Sequence, residues 1–289
     1  MEVPMLSSTV LAGGFTFPEG PRWRNGLLWF SDIFGNKVRT VDMRGKVTEV
    51  AIIAKGASGI GFLPDGTPLV TSMRRKVVLR LGGAAPVPYA DLNGLLGHHI
   101  NDMVVAANGN AYVGVNTGDT LDGVPKPGYI ALVPAGGQPR LVADGLNNPN
   151  AMVISADGKT LFVAETYGRR ISAYDILPDG GLENPRVHVD LRELTPDGIC
   201  LDAEGCFWVG TVWTGGFVRV RPDGVVTHRV ATPGKWAIAP MLGGEDGKTL
   251  FLCTAQTTLS ELRRMGRAGG KSEGWIETVR VETPHAGWP

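Results

Sequence analysis

Pro196-Asp197-Gly198-Ile199-Cys200-Leu201-Asp202-Ala203-Glu204-Gly205-Cys206-Phe207-Trp208-Val209 is an apolar run, an acidic-glycine turn and a second apolar run. The same pattern recurs upstream as Asn25-Gly26 before Leu28-Trp29-Phe30, Asp65-Gly66 before Pro68-Leu69-Val70, Asn108-Gly109 before Ala111-Tyr112-Val113, and Asp157-Gly158 before Leu161-Phe162-Val163. Downstream it recurs as Asp246-Gly247 before Leu250-Phe251-Leu252. The first turn residues are spaced by 40, 43, 49, 47 and 42 positions. Asn-Gly and Asp-Gly accept the positive φ angles of a hairpin turn, so each joins two antiparallel strands.

Around each turn lie further short alternating runs, such as Arg170-Ile171-Ser172-Ala173-Tyr174 and Phe217-Val218-Arg219-Val220. Four strands in each unit of roughly 40–50 residues, repeated six times, is the signature of propeller blades. The expectation is therefore an all-β, six-bladed β-propeller forming one domain over residues 1–289, with a central metal site. The outermost strand of the last blade comes either from Ser8-Thr9-Val10-Leu11 or from the run Trp275–Val281. Thr258-Leu259-Ser260-Glu261-Leu262-Arg263-Arg264-Met265 is the nearest approach to a helix, but its position reads as a blade strand.

Composition agrees. The 289 residues include 41 glycines and 20 prolines without low-complexity tracts, the mark of many tight turns. Twenty-eight basic side chains balance 28 acidic ones, which argues against a nucleic-acid or membrane surface. Three sparse cysteines in apolar runs argue against a disulfide framework. Neither a secretion signal nor an apolar run of about 18 residues is present, and a cytoplasmic location is expected.

In a propeller the strand before the turn is innermost, so its first residues surround the axis. Glu19 stands six positions before its turn; Asn101, Asn150 and Asp197 each stand seven before theirs. Blade two has Ser58 or Gly59 in that slot, and blade six has Trp236 or Ala237. Two carboxylates and two amides meeting on the axis would repel and be poorly solvated unless a cation joined them. Asp and Asn beside Gly or Pro also suit ordinary turns, which explains each residue singly but not the shared register. All-oxygen ligation suits one divalent ion, Ca²⁺, Mg²⁺ or Mn²⁺, better than a metal that prefers thiolate or imidazole.

These residues resemble the SMP-30/gluconolactonase/luciferin-regenerating-enzyme family. The segments that carry the resemblance include Phe17-Pro18-Glu19-Gly20-Pro21-Arg22-Trp23, Ile100-Asn101-Asp102, Asn148-Pro149-Asn150-Ala151-Met152 and Pro196-Asp197-Gly198-Ile199-Cys200. The resemblance runs from about Gly14 to about Val281. It implies a six-bladed propeller with one divalent metal, Ca²⁺ or Zn²⁺, and hydrolysis of sugar lactones. It also implies Glu19, Asn150 and Asp197 as metal ligands, Asp197 as general base, and Asn101 as a substrate contact near the metal.

The chain departs from that pattern at His99, where gluconolactonase-like members tend to carry an arginine. It departs again at Ala239-Pro240-Met241-Leu242-Gly243-Gly244, where a Cys-x-Phe-Gly-Gly run is usual. With Trp236 near the mouth, these changes imply a more apolar pocket. His99, Trp236 and Asp119, in the polar loop Asn116–Gly123, are expected substrate contacts. His188, His228 and His285 read as surface residues.

The function expected is opening of a lactone by metal-assisted attack of water. A different reaction at the same site, such as phosphotriester or ester hydrolysis or a condensation, is one alternative; a non-enzymatic partner-binding propeller is another. The expected partner is a small molecule bound by a monomer or small homo-oligomer. No Gly-x-Ser-x-Gly elbow or Cys-x-x-Cys pair supports a serine or cysteine nucleophile.

Overall fold

In the computed structural model the residues described are 3–95, 99–117, 127–265 and 269–287. Among them the strands form six antiparallel sheets of four, with extra strands on one. The innermost strands are Pro18–Arg24, Ala57–Phe62, His99–Val105, Pro149–Ile154, Pro196–Asp202 and Trp236–Gly243. Each packs against the next, and the last returns to the first, which closes the ring of a six-bladed propeller. Each predicted turn joins an innermost strand to the second strand of its blade.

The sixth blade shows how the ring is closed. Its order from the axis outward is Trp236–Gly243, Thr249–Gln256, Glu273–Arg280 and then Thr9–Phe15 from the N-terminus. Both candidate termini therefore contribute, the C-terminal run as third strand and the N-terminal run as fourth. Trp23 of blade one stacks on Phe251 of blade six at 5.1 Å and 19°, sealing the join. Blade five gains Met5–Leu6, parallel to its outer strand, and His285–Ala286, paired with its innermost strand at the end away from Asp197.

The segment Leu259–Met265 is a short α-helix rather than a strand. Thr258 caps it, since its Oγ1 accepts from the Glu261 amide at 3.2 Å, and Leu262 is buried beneath it. The helix is an insertion between the second and third strands of blade six. No helix among the described residues is long and apolar enough to cross a membrane.

The core lies between the sheets, because blade strands carry apolar residues on both faces. Phe207, Trp208, Tyr112 and Phe30 are among the largest side chains buried there. The three cysteines are free and buried. The histidine expectation needs correction, since His188 lies on Phe162 at 4.7 Å and His285 is held in the tail strand against Asp202. Both occupy packed joints of the sheets rather than open surface.

Candidate functional site

All six innermost strands depart from regular pairing near their start. The irregularities fall between Glu19 and Arg22, Ala57 and Ile60, Ile100 and Met103, Pro149 and Met152, Pro196 and Ile199, and Ala237 and Ala239. A bulge releases residues from the ladder and re-aims their side chains. The released pairs include Asn101-Asp102, Asn150-Ala151 and Asp197-Gly198, and the shift beside Glu19 does the same in blade one. Gly59 lets blade two approach this irregular backbone, because a Cβ there would sit 2.2 Å from the Met103 nitrogen.

Of the released side chains, Asn101, Asn150 and Asp197 line one cavity with Glu19. An arc of hydrogen bonds links four blades. Ser58 Oγ donates to Asn101 Oδ1 at 3.3 Å, Asn101 Nδ2 donates to Asn150 Oδ1 at 3.3 Å, and Asn150 Nδ2 donates to Asp197 Oδ1. Asn150 Nδ2 also reaches Thr166 Oγ1 at 3.2 Å. The structure thus brings together Glu19, Asn101, Asn150 and Asp197. His99 and Trp236 line the same cavity. Asp119 lies outside the described residues.

Two residues of the floor were not singled out from the sequence. Arg22, 4% exposed, donates through Nη2 to Asp102 Oδ1 at 3.2 Å and to the Met103 carbonyl at 2.7 Å. Asp102 follows Asn101 in the same bulge, so it was available as a third axial carboxylate. Its partner, 80 residues away, was not.

Burial pushes the Glu19 carboxyl well above the usual range, and repulsion from Asp197 and Asp102 adds to it; the Gly20 amide and Arg22 oppose the rise. Burial likewise raises Asp197 to about 7 against the hydrogen bond from Asn150, with Asp102 adding repulsion. Asp102 is raised by burial, with Arg22 the main opposing influence. Three carboxylates therefore meet one guanidinium at the floor. If all ionised, two negative charges would remain unmatched in a poorly solvated place.

That imbalance is what a divalent cation would correct, and the donors suit one. Among the described residues no three His, Cys, Asp or Glu side chains are clustered to hold a metal, so an ion here would need the amide oxygens as well. Carboxylate and amide oxygens are hard donors, suited to Ca²⁺ or Mg²⁺. The nearby Cys253 thiol is kept protonated by burial and by repulsion from Glu19. Glu19, Asn150 and Asp197, with Asn101 adjacent, thus fit a divalent ion.

Above this floor the cavity encloses about 510 Å³, within the ~300–1,000 Å³ range of small-molecule sites. Arg74 and Arg263 reach its wall. So do Leu262 and Met265 of the short helix, which gives that insertion a place at the mouth.

The SMP-30/gluconolactonase/LRE-like region matches this chain over residues 17–256. A 6-deoxy-6-sulfogluconolactonase of Pseudomonas putida is 27% identical over 168 residues, 56% of this chain and 56% of that enzyme. Regucalcin of Oryctolagus cuniculus is 25% identical over 264 residues, 87% of this chain and 88% of its own length. Among solved structures, a calcium-binding regucalcin of Agrobacterium tumefaciens superposes with a TM-score of 0.77, 21% identity and 99% coverage of both chains. The repeated blades, the axial residues and the match over 17–256 agree, and the chain belongs to the SMP-30/gluconolactonase/LRE-like family.

Proposed function

We propose that this protein is a divalent-metal-dependent lactonase, opening a cyclic ester to its hydroxy acid. The observation that carries the reading is the charge imbalance on the axis: two mutually repelling carboxylates, Glu19 and Asp197, lining a ligand-sized cavity together with the amides of Asn101 and Asn150. Family relatives named as lactonases support the reaction class. Relatives named regucalcin, one of them described as calcium-binding, support a divalent ion, Ca²⁺ first.

A divalent ion held by Glu19, Asn150 and Asp197, with Asn101 beside it, would supply Lewis-acid polarisation of the lactone carbonyl. The rest of the chemistry belongs to the chain. The Asn150 amide occupies Asp197 Oδ1, so Oδ2 is the oxygen that takes a proton from the attacking water. The water oxygen bonds to the carbonyl carbon, the ring C–O bond breaks, and the proton passes from Asp197 to the departing ring oxygen. Asp197 lines the cavity, where a carboxylate can pass one proton from the water to the departing oxygen. Asn101, fixed by Ser58 and Asn150, orients the carbonyl, and His99 lies above it at the wall.

The test is Asp197→Asn, which keeps an acceptor for Asn150 while removing the base and a charge. Lactone hydrolysis followed by acid release with added Ca²⁺ should fall by at least ~100-fold, the lower end for loss of a general base. Undiminished turnover by a folded variant would refute the mechanism.

A further inference from the structure

The wall of the cavity is not uniform. On one side runs a chain of rings: Trp213 lies 6.2 Å from Trp236 and Trp236 6.5 Å from Phe17, with Tyr167 behind them at 5.7 Å from Trp213. These come from blades four, five, six and one. Met265 and Leu262 of the helix continue the apolar surface over blade six.

Trp213 is the unusual member. It sits in the turn after Phe207–Thr211 with φ at +72°, a region where a bulky side chain is strained, and it remains 42% exposed. Folding does not bury this indole in the core. The turn holds it over the cavity, and strain kept in an exposed aromatic fits a binding position better than a packing one.

Blade three stands opposite blade six across the axis, and its wall is polar. Asn116 lines the cavity, is 7% exposed, and its Oδ1 is a buried acceptor with no hydrogen-bond partner among the described residues. A buried acceptor without a donor is costly, and a ligand that brings one removes the cost. Asn116 pairs across the blade with His99, which places it at the rim beside Asn101.

We propose that the site takes a lactone with an apolar or aromatic substituent facing Trp213, Trp236 and Met265, and a hydroxyl or N–H donor facing Asn116 Oδ1. This rests on the lactonase reading above. Asn116 and Trp213 become specificity-determining residues. A lactone hydroxylated on every carbon would leave several hydroxyls unpaired against the rings, and a bare lactone would leave Asn116 without a donor.

The experiment has a turnover arm and a binding arm. Turnover of γ-butyrolactone, γ-phenyl-γ-butyrolactone, its α-hydroxy derivative and glucono-δ-lactone is measured with Ca²⁺ for the native protein, Trp213→Ala and Asn116→Ala. The α-hydroxy phenyl lactone should give the highest kcat/KM, exceeding the gluconolactone by at least about tenfold. Trp213→Ala should lower the ratio of phenyl to unsubstituted turnover by about tenfold. Asn116→Ala should lower the ratio of α-hydroxy to α-deoxy turnover by a similar factor of about ten.

In the second arm, tryptophan fluorescence reports binding of the phenyl lactam and the unsubstituted lactam, which resist hydrolysis. Turnover that favours the gluconolactone, or variants that lower all substrates equally, would overturn the proposal. Tight phenyl-lactam binding without turnover of any lactone would overturn the lactonase reading while upholding the two-sided pocket. Absence of both turnover and phenyl preference would overturn both.

Discussion

The side-chain amide of Asn150 donates to Asp197 Oδ1 across the join between blades four and five, while its carbonyl oxygen accepts from Asn101 of blade three. One amide thus fixes the orientation of two neighbours at the axis. Asn150→Ala should lower Ca²⁺ affinity by at least about tenfold, the lower end for losing a group that orients ligands. Lactone kcat/KM should fall with it. Calcium titration followed by thermal melting checks the first, and a variant binding Ca²⁺ as tightly as the native protein would remove Asn150 from the site.

Asp197 and Glu19 give a pH dependence whose sign can be worked out. A carboxyl raised in the folded state, Asp197 to about 7 from 3.8, keeps its proton while the unfolded chain loses it. The contribution is therefore fully present below the unfolded pKa and is lost as pH rises through about 7, with Glu19 acting in the same direction. Metal-free protein should melt lower at pH 8 than at pH 5.5. A cation replaces those protons, so Ca²⁺ should raise Tm more at pH 8 than at pH 5.5. At a hundredfold excess over Kd the gain at pH 8 is about 2.7 kcal/mol, or roughly 5–10 °C. A Ca²⁺ effect that is absent, or larger at pH 5.5, would contradict the ion site.

Much of this centre was legible in the chain because a propeller converts sequence register into spatial convergence. Glu19, Asn101, Asn150 and Asp197 stand at nearly the same distance before their turns, and counting alone groups them. What counting misses is the bulge, a property of backbone pairing that brings Asp102 to the floor beside Asn101. Nothing in the sequence marks Arg22, since its role depends on Asp102 in blade three. Asn116 stood at the edge of a polar loop, and only burial separates an orphaned acceptor from a solvated one. The helix at Leu259–Met265 had a readable signal in Thr258-Leu259-Ser260-Glu261, a capping box, which the strand periodicity of its neighbours concealed.

The contact at Gly59 predicts a sharp local cost. Its missing side chain lets blade two lie against the bulge that carries Asn101 and Asp102, and a Cβ would meet backbone at 2.2 and 2.7 Å. Because the nearest atoms are the Asp102-Met103 backbone, no flexible side-chain end can simply move aside. Gly59→Ala should destabilise by about 1–3 kcal/mol, as overpacking does, and should weaken Ca²⁺ binding by shifting Asn101. Denaturant melts with and without Ca²⁺ measure both, and a variant of native stability would show that blade two can withdraw.

The Arg22–Asp102 pair separates structural from electrostatic roles on the axis. Both side chains are almost wholly buried, at 4% and 3% exposure. Removing one partner strands the other without compensation. Arg22→Met should cost about 3–5 kcal/mol and lower Tm by roughly 10 °C. Arg22→Met with Asp102→Asn leaves no unpaired charge there and should recover at least about half of that loss. The guanidinium is also the cation that opposes the rise at Glu19. Without it the floor is more negative, so the single variant should gain more stability from saturating Ca²⁺ at pH 8 than the native protein does. Isothermal titration and melts on the native protein, the two single variants and the double variant complete the cycle. If Arg22→Met lost stability but showed a smaller Ca²⁺ gain, the floor charge would not be what draws a cation to the axis.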